Sequence, residues 1–509
     1  MHKKLYLNSL SGTALYVVNI AVAFVLSPVL LKALGNNGYG LWELIMSVVG
    51  YMGLLDLGIG SAMVRYVAVA EGSQDREELG RLISTSLVFF STVGGIACVL
   101  FMLMGFFTGF LAGEDAGKIE NIHILFYIFA LNALFTFPMQ VFLSVLLGLQ
   151  CHYFINFTRI ILILVKSIII YFYIFSYSAS VLVFISVVEI VYTIITFFLF
   201  YLFMSFKRDI PKFSLGQVSR ENFHDLFVFG SKNLVMMAAS RLQNQSIPLI
   251  IANVIGMGSI VYYAFPNRLV EYAKGFSLAI GYPLTPYFGS VIGRGQSEGL
   301  KRAWLDVTFI LQAIMFIIPV VLFYYGEIFL NLWIGQEYGL TGRWVLRILI
   351  IGLVADTLAV NGFRILTAQA NHGKCAFVWL LLAALSIPAG VLGGKMWGVA
   401  GVALGVVLAS VIGNLVTVTL ACASLRITLG EYLRGTCVKL LPPLILINAY
   451  CGLLPFISDV TGFLTLSLHV ASVVLLYGAL LWMCSIDRTV KVKIKEMIHA
   501  NIINKNSRT

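Results

Sequence analysis

Fifteen charged residues stand where a hydrocarbon-facing chain should have none. Ten are cations within apolar runs: Lys32, Arg65, Arg159, Lys166, Lys232, Arg241, Arg268, Lys274, Arg347 and Arg364. Five are acids: Glu43, Asp56, Glu189, Glu271 and Asp356. A charge at the centre of a bilayer costs about 2.5–3.5 kcal/mol on insertion scales, so each needs a partner, a wet cavity or a route to the interface. Lys32, Arg159 and Arg347 lie near span ends, where long side chains reach the interface. The sharpest group is Arg268, Glu271 and Lys274, three residues apart. At helical geometry they lie within an arc of about 120°. Glu271 pairs with either cation but not with both, which predicts a surplus positive charge on that face. Arg241 stands beside Gln243, Asn244 and Gln245, and Asp356 lies two turns before Arg364. Cations outnumber acids two to one among these residues. Structural ion pairs alone do not account for that surplus, whereas a cavity that accepts an anion does.

The elements that must position these residues are set by composition. The 509 residues are 60% hydrophobic and only 11% charged, and the mean hydropathy is +0.94. Soluble domains carry about 25% charged residues, so this is a polytopic membrane protein. Its net charge of +11 fits positive loops at an anionic lipid surface and implies no nucleic acid. Apolar runs fall at about 8–34, 38–70, 80–110, 122–148, 155–176 and 180–205. After a polar linker they continue at about 223–255, 257–292, 302–325, 344–369, 375–394, 397–422, 438–456 and 462–485. That is about fourteen helices. None alternates with period two, which excludes a β-barrel.

With the N-terminus inside, the inner segments hold 21 lysines and arginines and the outer segments only Lys118, Arg343 and Lys395. This asymmetry predicts that both termini are cytoplasmic. The N-terminal run is too long for a cleaved signal peptide.

A repeat orders the runs. Shifted by 221 positions, residues 35 to 81 meet 256 to 302 with eleven identities, including Gly35 with Gly256, Tyr51 with Tyr272 and Gly60 with Gly281. The loop matches Gly72 with Gly293, Glu77 with Glu298 and Arg81 with Arg302 do not follow from apolar bias. The two copies lie six spans apart and share a direction, as in parallel transporter repeats. The expected domains are therefore an N-terminal six-helix bundle over 1–205, a cytoplasmic linker over 206–222, a second six-helix bundle over 223–422, and 423–509 as an appended helix pair with a basic tail. Gly58, Gly60 and Gly281, with Pro138, Pro286, Pro319 and Pro388, are expected to break spans.

Catalytic motifs are missing. The sequence has no HExxH, no Walker A loop and no metal-spaced His/Cys cluster, and its seven cysteines form no CxxC pair. No metal or other cofactor is implied, and the chain is expected not to be an enzyme. The longest outer loop, about 326 to 343, is too short for an extramembrane catalytic domain, which argues against a glycan polymerase. A secondary transporter with internal repeats and polar charges at their interface is the expectation.

The pattern LGNNGYGLWE…GLLDLGIGSAMVRYVA, with IGMGSIVYYAFPNRLVEY…YPLTPYFGSVIGRG in the second copy, resembles the bacterial polysaccharide-exporter family. This is the O-antigen (Wzx-type) flippase branch of the multidrug/oligosaccharidyl-lipid/polysaccharide exporter superfamily. The likeness is clearest over residues 8–90. It implies an all-α, MATE-like fold of two pseudo-twofold six-helix bundles, in the bacterial cytoplasmic (inner) membrane. The implied cargo is an undecaprenyl-diphosphate-linked oligosaccharide moved to the outer leaflet by alternating access, as ion-coupled antiport. A diphosphate needs charge-assisted donors. The expected substrate contacts are Arg65, Lys232, Arg241, Arg268, Lys274 and Arg364, with Asn244, Gln245 and Asn267 facing sugar. Asp56, Glu271 and Asp356 are the candidates for coupling to a proton or sodium counter-ion. Expected partners are membrane lipid and polysaccharide-assembly proteins. Two other branches compete. A lipid II flippase also has fourteen helices, and a multidrug/cation antiporter would need an acid-rich site.

Overall fold

The computed structural model describes residues 2–107, 122–176, 180–206, 210–211, 213–281, 284–294, 297–454 and 459–485. Lys118, Lys207, Arg208, Lys212 and the basic tail from Arg488 lie outside these. The side chains of Lys3, Lys4 and Lys232 also lie outside the description. Among the described residues there is no strand.

Seventeen α-helices follow in chain order, with short 3₁₀ turns between some of them. They are α1 (His2–Met52), α2 (Ile59–Gly72), α3 (Arg76–Phe106), α4 (Ile122–Gly148), α5 (His152–Ser176), α6 (Val181–Phe206), α7 (Arg220–Val254), α8 (Ile260–Gly281) and α9 (Leu284–Gly293). They continue as α10 (Ser297–Met315), α11 (Ile317–Ile334), α12 (Gln336–Leu358), α13 (Gly362–Ala368), α14 (Gly373–Ser424), α15 (Leu429–Gly435), α16 (Leu441–Leu453) and α17 (Phe463–Leu480). Starts are capped where the sequence supplies oxygen. Asp75 accepts from the Glu78 N–H at 2.9 Å at the head of α3. Thr428 and Glu431 form a reciprocal capping box on α15.

Ten helical stretches are long and apolar enough to cross a bilayer among the described residues. Two of them each contain a bend. One is at Gly35 (φ 64°, ψ 179°), and the other is at Trp397–Gly398 in the 52-residue α14. α7 and α8 are also of span length, but their polar side chains lower their hydropathy. With the two bends and these two helices counted, the stretches agree with the fourteen runs in the sequence. Glycine takes φ > 0 without a Cβ penalty, which is why the bends fall at Gly35 and Gly398.

The repeat is written in helix ends. α2 ends at Gly72 and α9 at Gly293, while α3 begins at Arg76 and α10 at Ser297. α5 begins at His152 and α14 at Gly373. Each pair is offset by 221 residues. The opening glycines agree as well, with Gly35 at φ 64° and Gly256 at φ 129°.

The chain forms two compact units. The first holds residues 1–264 and 376–409, and the second holds 265–375 and 410–509. The first packs α3, α4 and α6 around buried Phe90, Phe126, Val141 and Phe200. The second packs α11 against α12 and α17, burying Val320, Tyr325, Leu466 and Val473.

Two sequence expectations are corrected, the loop at 326–343 and the helix breaks at Pro138 and Pro388. The stretch 326–343 is helical in α11 and α12, with Gly335 (φ 117°) as the turn between them. Pro319 stands in the first turn of α11, just past the interruption at Phe316, and Pro286 stands in the first turn of α9. The prolines inside helices include Pro28, Pro248 and Pro266 as well as Pro138 and Pro388.

Candidate functional site

In the first unit the functional side chains gather where α1 breaks. Gly53–Asp56 is a 3₁₀ turn, and Leu57 (φ 51°) and Gly58 (φ 76°) adopt left-handed backbone before α2 starts. The break leaves the first N–H groups of α2 unpaired. Oδ1 of Asp56 accepts one of them, from Gly60, at 2.8 Å. Beside it lies a cavity of about 240 Å³, lined by Asp56, Gly53, Asn132, Thr136, Gln140, Arg241 and a wall of Phe90, Phe101, Phe129 and Phe137. Arg241, on α7, reaches the break from the Gly53 side. Its Nη2 lies 3.3 Å from where a methyl on Gly53 would stand. No ion pair joins Arg241 to Asp56, or to another carboxylate, among the described residues. The cavity therefore presents one carboxylate and one guanidinium held apart.

Arg65, beyond the break on α2, is exposed and stacks over Phe229, 4.7 Å from the ring centroid, and over Tyr66 at 5.4 Å. It too has no carboxylate partner among the described residues. Asn244 is exposed and donates to the Ser240 hydroxyl at 3.5 Å. Gln245 packs against Gly50, and its carbonyl accepts from the Ser47 hydroxyl.

In the second unit the geometry differs. Lys274 on α8 sits 3.5 Å from Glu271 and 3.3 Å from Asp356. Asp356 also accepts from Nδ2 of Asn414 at 2.6 Å. With Arg268 counted on the same helix, two carboxylates stand against two cations, so Asp356 offsets the surplus positive charge expected around Glu271 and Lys274. Arg268 lies over Phe265 at 5.8 Å. Arg364 does not share a helix with Asp356, because α12 ends at Leu358 and α13 begins at Gly362. Its guanidinium donates to oxygens that carry no full charge: the Val360 carbonyl at 2.5 Å, Oδ1 of Asn361 at 3.1 Å and the Ser277 carbonyl at 3.3 Å. Asn361 is itself fixed, by Thr308 at 3.2 Å and by Trp304, whose indole donates to its carbonyl.

Lys166, Glu189 and Arg347 have structural uses. Lys166 pairs with Glu189 at 2.7 Å and lies over Tyr192. Arg347 stacks over Trp344 at 5.1 Å and Phe323 at 5.5 Å. The sequence reading missed the amides Asn132, Gln140, Asn361 and Asn414. The signal was available: an amide inside an apolar run carries the same kind of desolvation cost as a charge, only smaller.

No group of three or more His, Cys, Asp or Glu side chains could hold a metal among the described residues. The described cysteines are all free thiols, six of them buried or half-buried.

The sequence matches the family model described as polysaccharide biosynthesis protein over residues 6–291. It is 25% identical over 373 residues to a putative O-antigen transporter of Shigella flexneri, covering 71% of this chain and 84% of that one. Two solved structures share the fold. An inward-facing multidrug resistance MATE family transporter of the MOP superfamily aligns with TM-score 0.69 at 15% identity, over 81% of this chain and 94% of its own. The lipid II flippase MurJ, in an inward closed conformation, aligns with TM-score 0.67 at 16% identity, over 94% of this chain and 99% of its own.

Proposed function

We propose that this chain, which belongs to the polysaccharide biosynthesis protein family, translocates an undecaprenyl-diphosphate-linked oligosaccharide from the inner to the outer leaflet of a bacterial cytoplasmic membrane. The observation that carries this reading is the cavity at the α1 break. A half-buried guanidinium with no carboxylate partner among the described residues is costly unless something anionic visits it. Arg241 is such a group, and a lipid diphosphate is such a visitor. Arg65 and Arg364 likewise have no acid attached among the described residues. Lys232, Arg268, Lys274 and Asn244 complete the proposed contact set. Lys274 enters as the member already balanced by Glu271 and Asp356, so that cluster belongs with Asp56 to the ion-coupled part of the cycle. The polyprenyl tail needs no polar partner and can stay in lipid.

In this reading both termini are cytoplasmic, and the two six-helix bundles over 1–205 and 223–422 alternate access, with 423–509 appended. The chain performs no bond chemistry of its own.

The test is removal of the chain from its host, followed by assay of the leaflet in which lipid-linked oligosaccharide accumulates. Accumulation in the inner leaflet with intact synthesis is the expected result. Loss of synthesis would point to an enzyme, and drug sensitivity with normal export would point to a cation antiporter.

A further inference from the structure

The carbonyl that ends α12 is capped from outside its own helix. The Gly362 N–H bonds to Ala359 at 2.8 Å, so the Leu358 carbonyl lacks the i+4 donor that a continuous helix would supply. Two side chains replace it. The Tyr432 hydroxyl, on α15, donates to this carbonyl, and so does Nε2 of Gln312, on α10, at 3.1 Å. Nε2 of Gln312 also donates to the Tyr432 hydroxyl at 2.9 Å, and the Cys437 thiol donates to Oε1 of the same amide at 3.5 Å. In all, α10 supplies Trp304, Thr308 and Gln312, spaced by four and so on one face. The Trp304 ring lies on the Tyr432 ring, with centroids 5.1 Å apart and 30° between the planes. The Trp304 indole donates to the Asn361 carbonyl, and the Thr308 hydroxyl accepts from Nδ2 of Asn361 at 3.2 Å. Asn361 in turn offers its Oδ1 to Arg364 at 3.1 Å.

Trp304, Thr308, Gln312 and Asn361 are fully buried, and Tyr432 is 1% exposed. In such surroundings a lost hydrogen bond leaves its partner unsatisfied, so the members hold one another in place. The Arg364 guanidinium is only half-buried, and the Val360 carbonyl and the Asn361 amide fasten it to the break that this network braces. The first copy ties the corresponding segment differently. After α6, the backbone N–H groups of Ser214 and Ser219 donate to Ser84 and Thr85 on α3, at 3.1 and 3.0 Å. In the second copy α15 follows α14 in that place, and its tie is a side chain that reaches the break.

We propose that Tyr432 and Gln312 are positioning residues for Arg364: through Leu358, Trp304 and Asn361 they fix the α12–α13 break, and with it the direction in which the guanidinium meets the cargo's anionic head group. α15 thereby acts on a cargo contact from outside the two bundles of the proposed reading. The step to cargo rests on the proposed function; the positioning of the guanidinium does not.

The experiment uses the full-length purified chain in lipid nanodiscs. Wild type is compared with Tyr432→Phe, with Arg364→Gln, with the double variant and with Tyr450→Phe as a control. The Tyr450 hydroxyl donates to Ser472 at 3.1 Å, between α16 and α17. Reaction of Arg364 with phenylglyoxal is followed by mass spectrometry of its peptide, and affinity is measured for undecaprenyl diphosphate. Tyr432→Phe is expected to raise the Arg364 reaction rate about threefold or more and to weaken affinity about fivefold, the ratio for one hydrogen bond. In the Arg364→Gln background the same substitution should change affinity by less than about twofold, because the group it positions is gone. Tyr450→Phe should leave both readings at wild-type values. Should Tyr432→Phe fail to elute as a folded monodisperse species, Gln312→Met, which removes the other donor to Leu358, is read in its place. The positioning role is overturned if Arg364 reacts at the wild-type rate in Tyr432→Phe, if Tyr450→Phe raises that rate equally, or if the affinity loss persists in full without Arg364. A faster Arg364 reaction, with an affinity that no variant changes, would keep the positioning and refute the head-group contact.

Discussion

The break at Asp56 and the cluster at Lys274 are two charged regions of this molecule, and they solve the problem of intramembrane charge differently. At Lys274, attraction is satisfied within the chain: two carboxylates hold one ammonium, and Asn414 holds one of the carboxylates. At the α1 break, Asp56 and Arg241 line one cavity without touching. The first arrangement stabilises a fold. The second leaves charge available for something that arrives. The difference teaches that an intramembrane charge is informative through its partner, and a residue type alone does not reveal which partner it has.

Substitutions can break or sharpen this contrast. The largest effect is expected from Arg241→Glu. It reverses the one cation of the cavity, and export should fall about a hundredfold or more at normal protein level, as read by leaflet-resolved assay of the lipid-linked glycan. Export close to wild type in that variant would remove Arg241 from the pathway.

Lys274→Met should act mainly on stability. It leaves Glu271 and Asp356 without their cation; both carboxylates keep access to solvent, so the screened loss is about 1 kcal/mol. A lowered thermal midpoint of the purified protein is the expected readout, and Arg241→Met, which strands no bonded carboxylate, should shift the midpoint far less. Equal shifts for the two variants would erase the distinction drawn between the regions. Gly281→Ala should also destabilise, by about 1–3 kcal/mol, because its methyl meets the Arg364 guanidinium, which three oxygen acceptors hold in place. Arg364→Met should relieve that clash, so the double variant would be less than additive. The smallest effect belongs to Phe229→Leu, which removes the ring under the exposed Arg65. About 0.5–1 kcal/mol of cation–π attraction is at stake, and a small change in the salt dependence of export is the expected sign.

Helical class, span number and the 221-residue repeat were legible in the sequence because they depend on local composition and periodicity. So was the break at DLGIG, where two glycines flank Leu57 and Ile59 in a run that is otherwise a good helix. Partner choice was not legible. Lys274 and Asp356 are far apart in sequence, and nothing local says that they meet. The helix end at Leu358 separates Asp356 from Arg364, and its sequence mark is the Asn361–Gly362 pair, a turn signal that a spacing argument along one helix face passes over. The stretch 326–343 was read as a loop because Glu327, Glu337 and Arg343 interrupt its hydropathy, yet Arg343 and Glu327 approach to 4.0 Å across the Gly335 turn between α11 and α12. The uncharged half of the site, Asn132 and Gln140, was hidden by attention to formal charge.

The Arg241 guanidinium, without a carboxylate partner among the described residues, is the group expected to hold an anionic lipid head group. The most direct measurement is the affinity of the purified chain in nanodiscs for an undecaprenyl-diphosphate-linked oligosaccharide, compared among wild type, Arg241→Gln and Lys274→Gln with folding checked for each. Arg241→Gln should weaken binding by about tenfold or more, with a shallower salt dependence, while folded Lys274→Gln changes it much less. Unchanged affinity in Arg241→Gln, at full folding, would contradict the account.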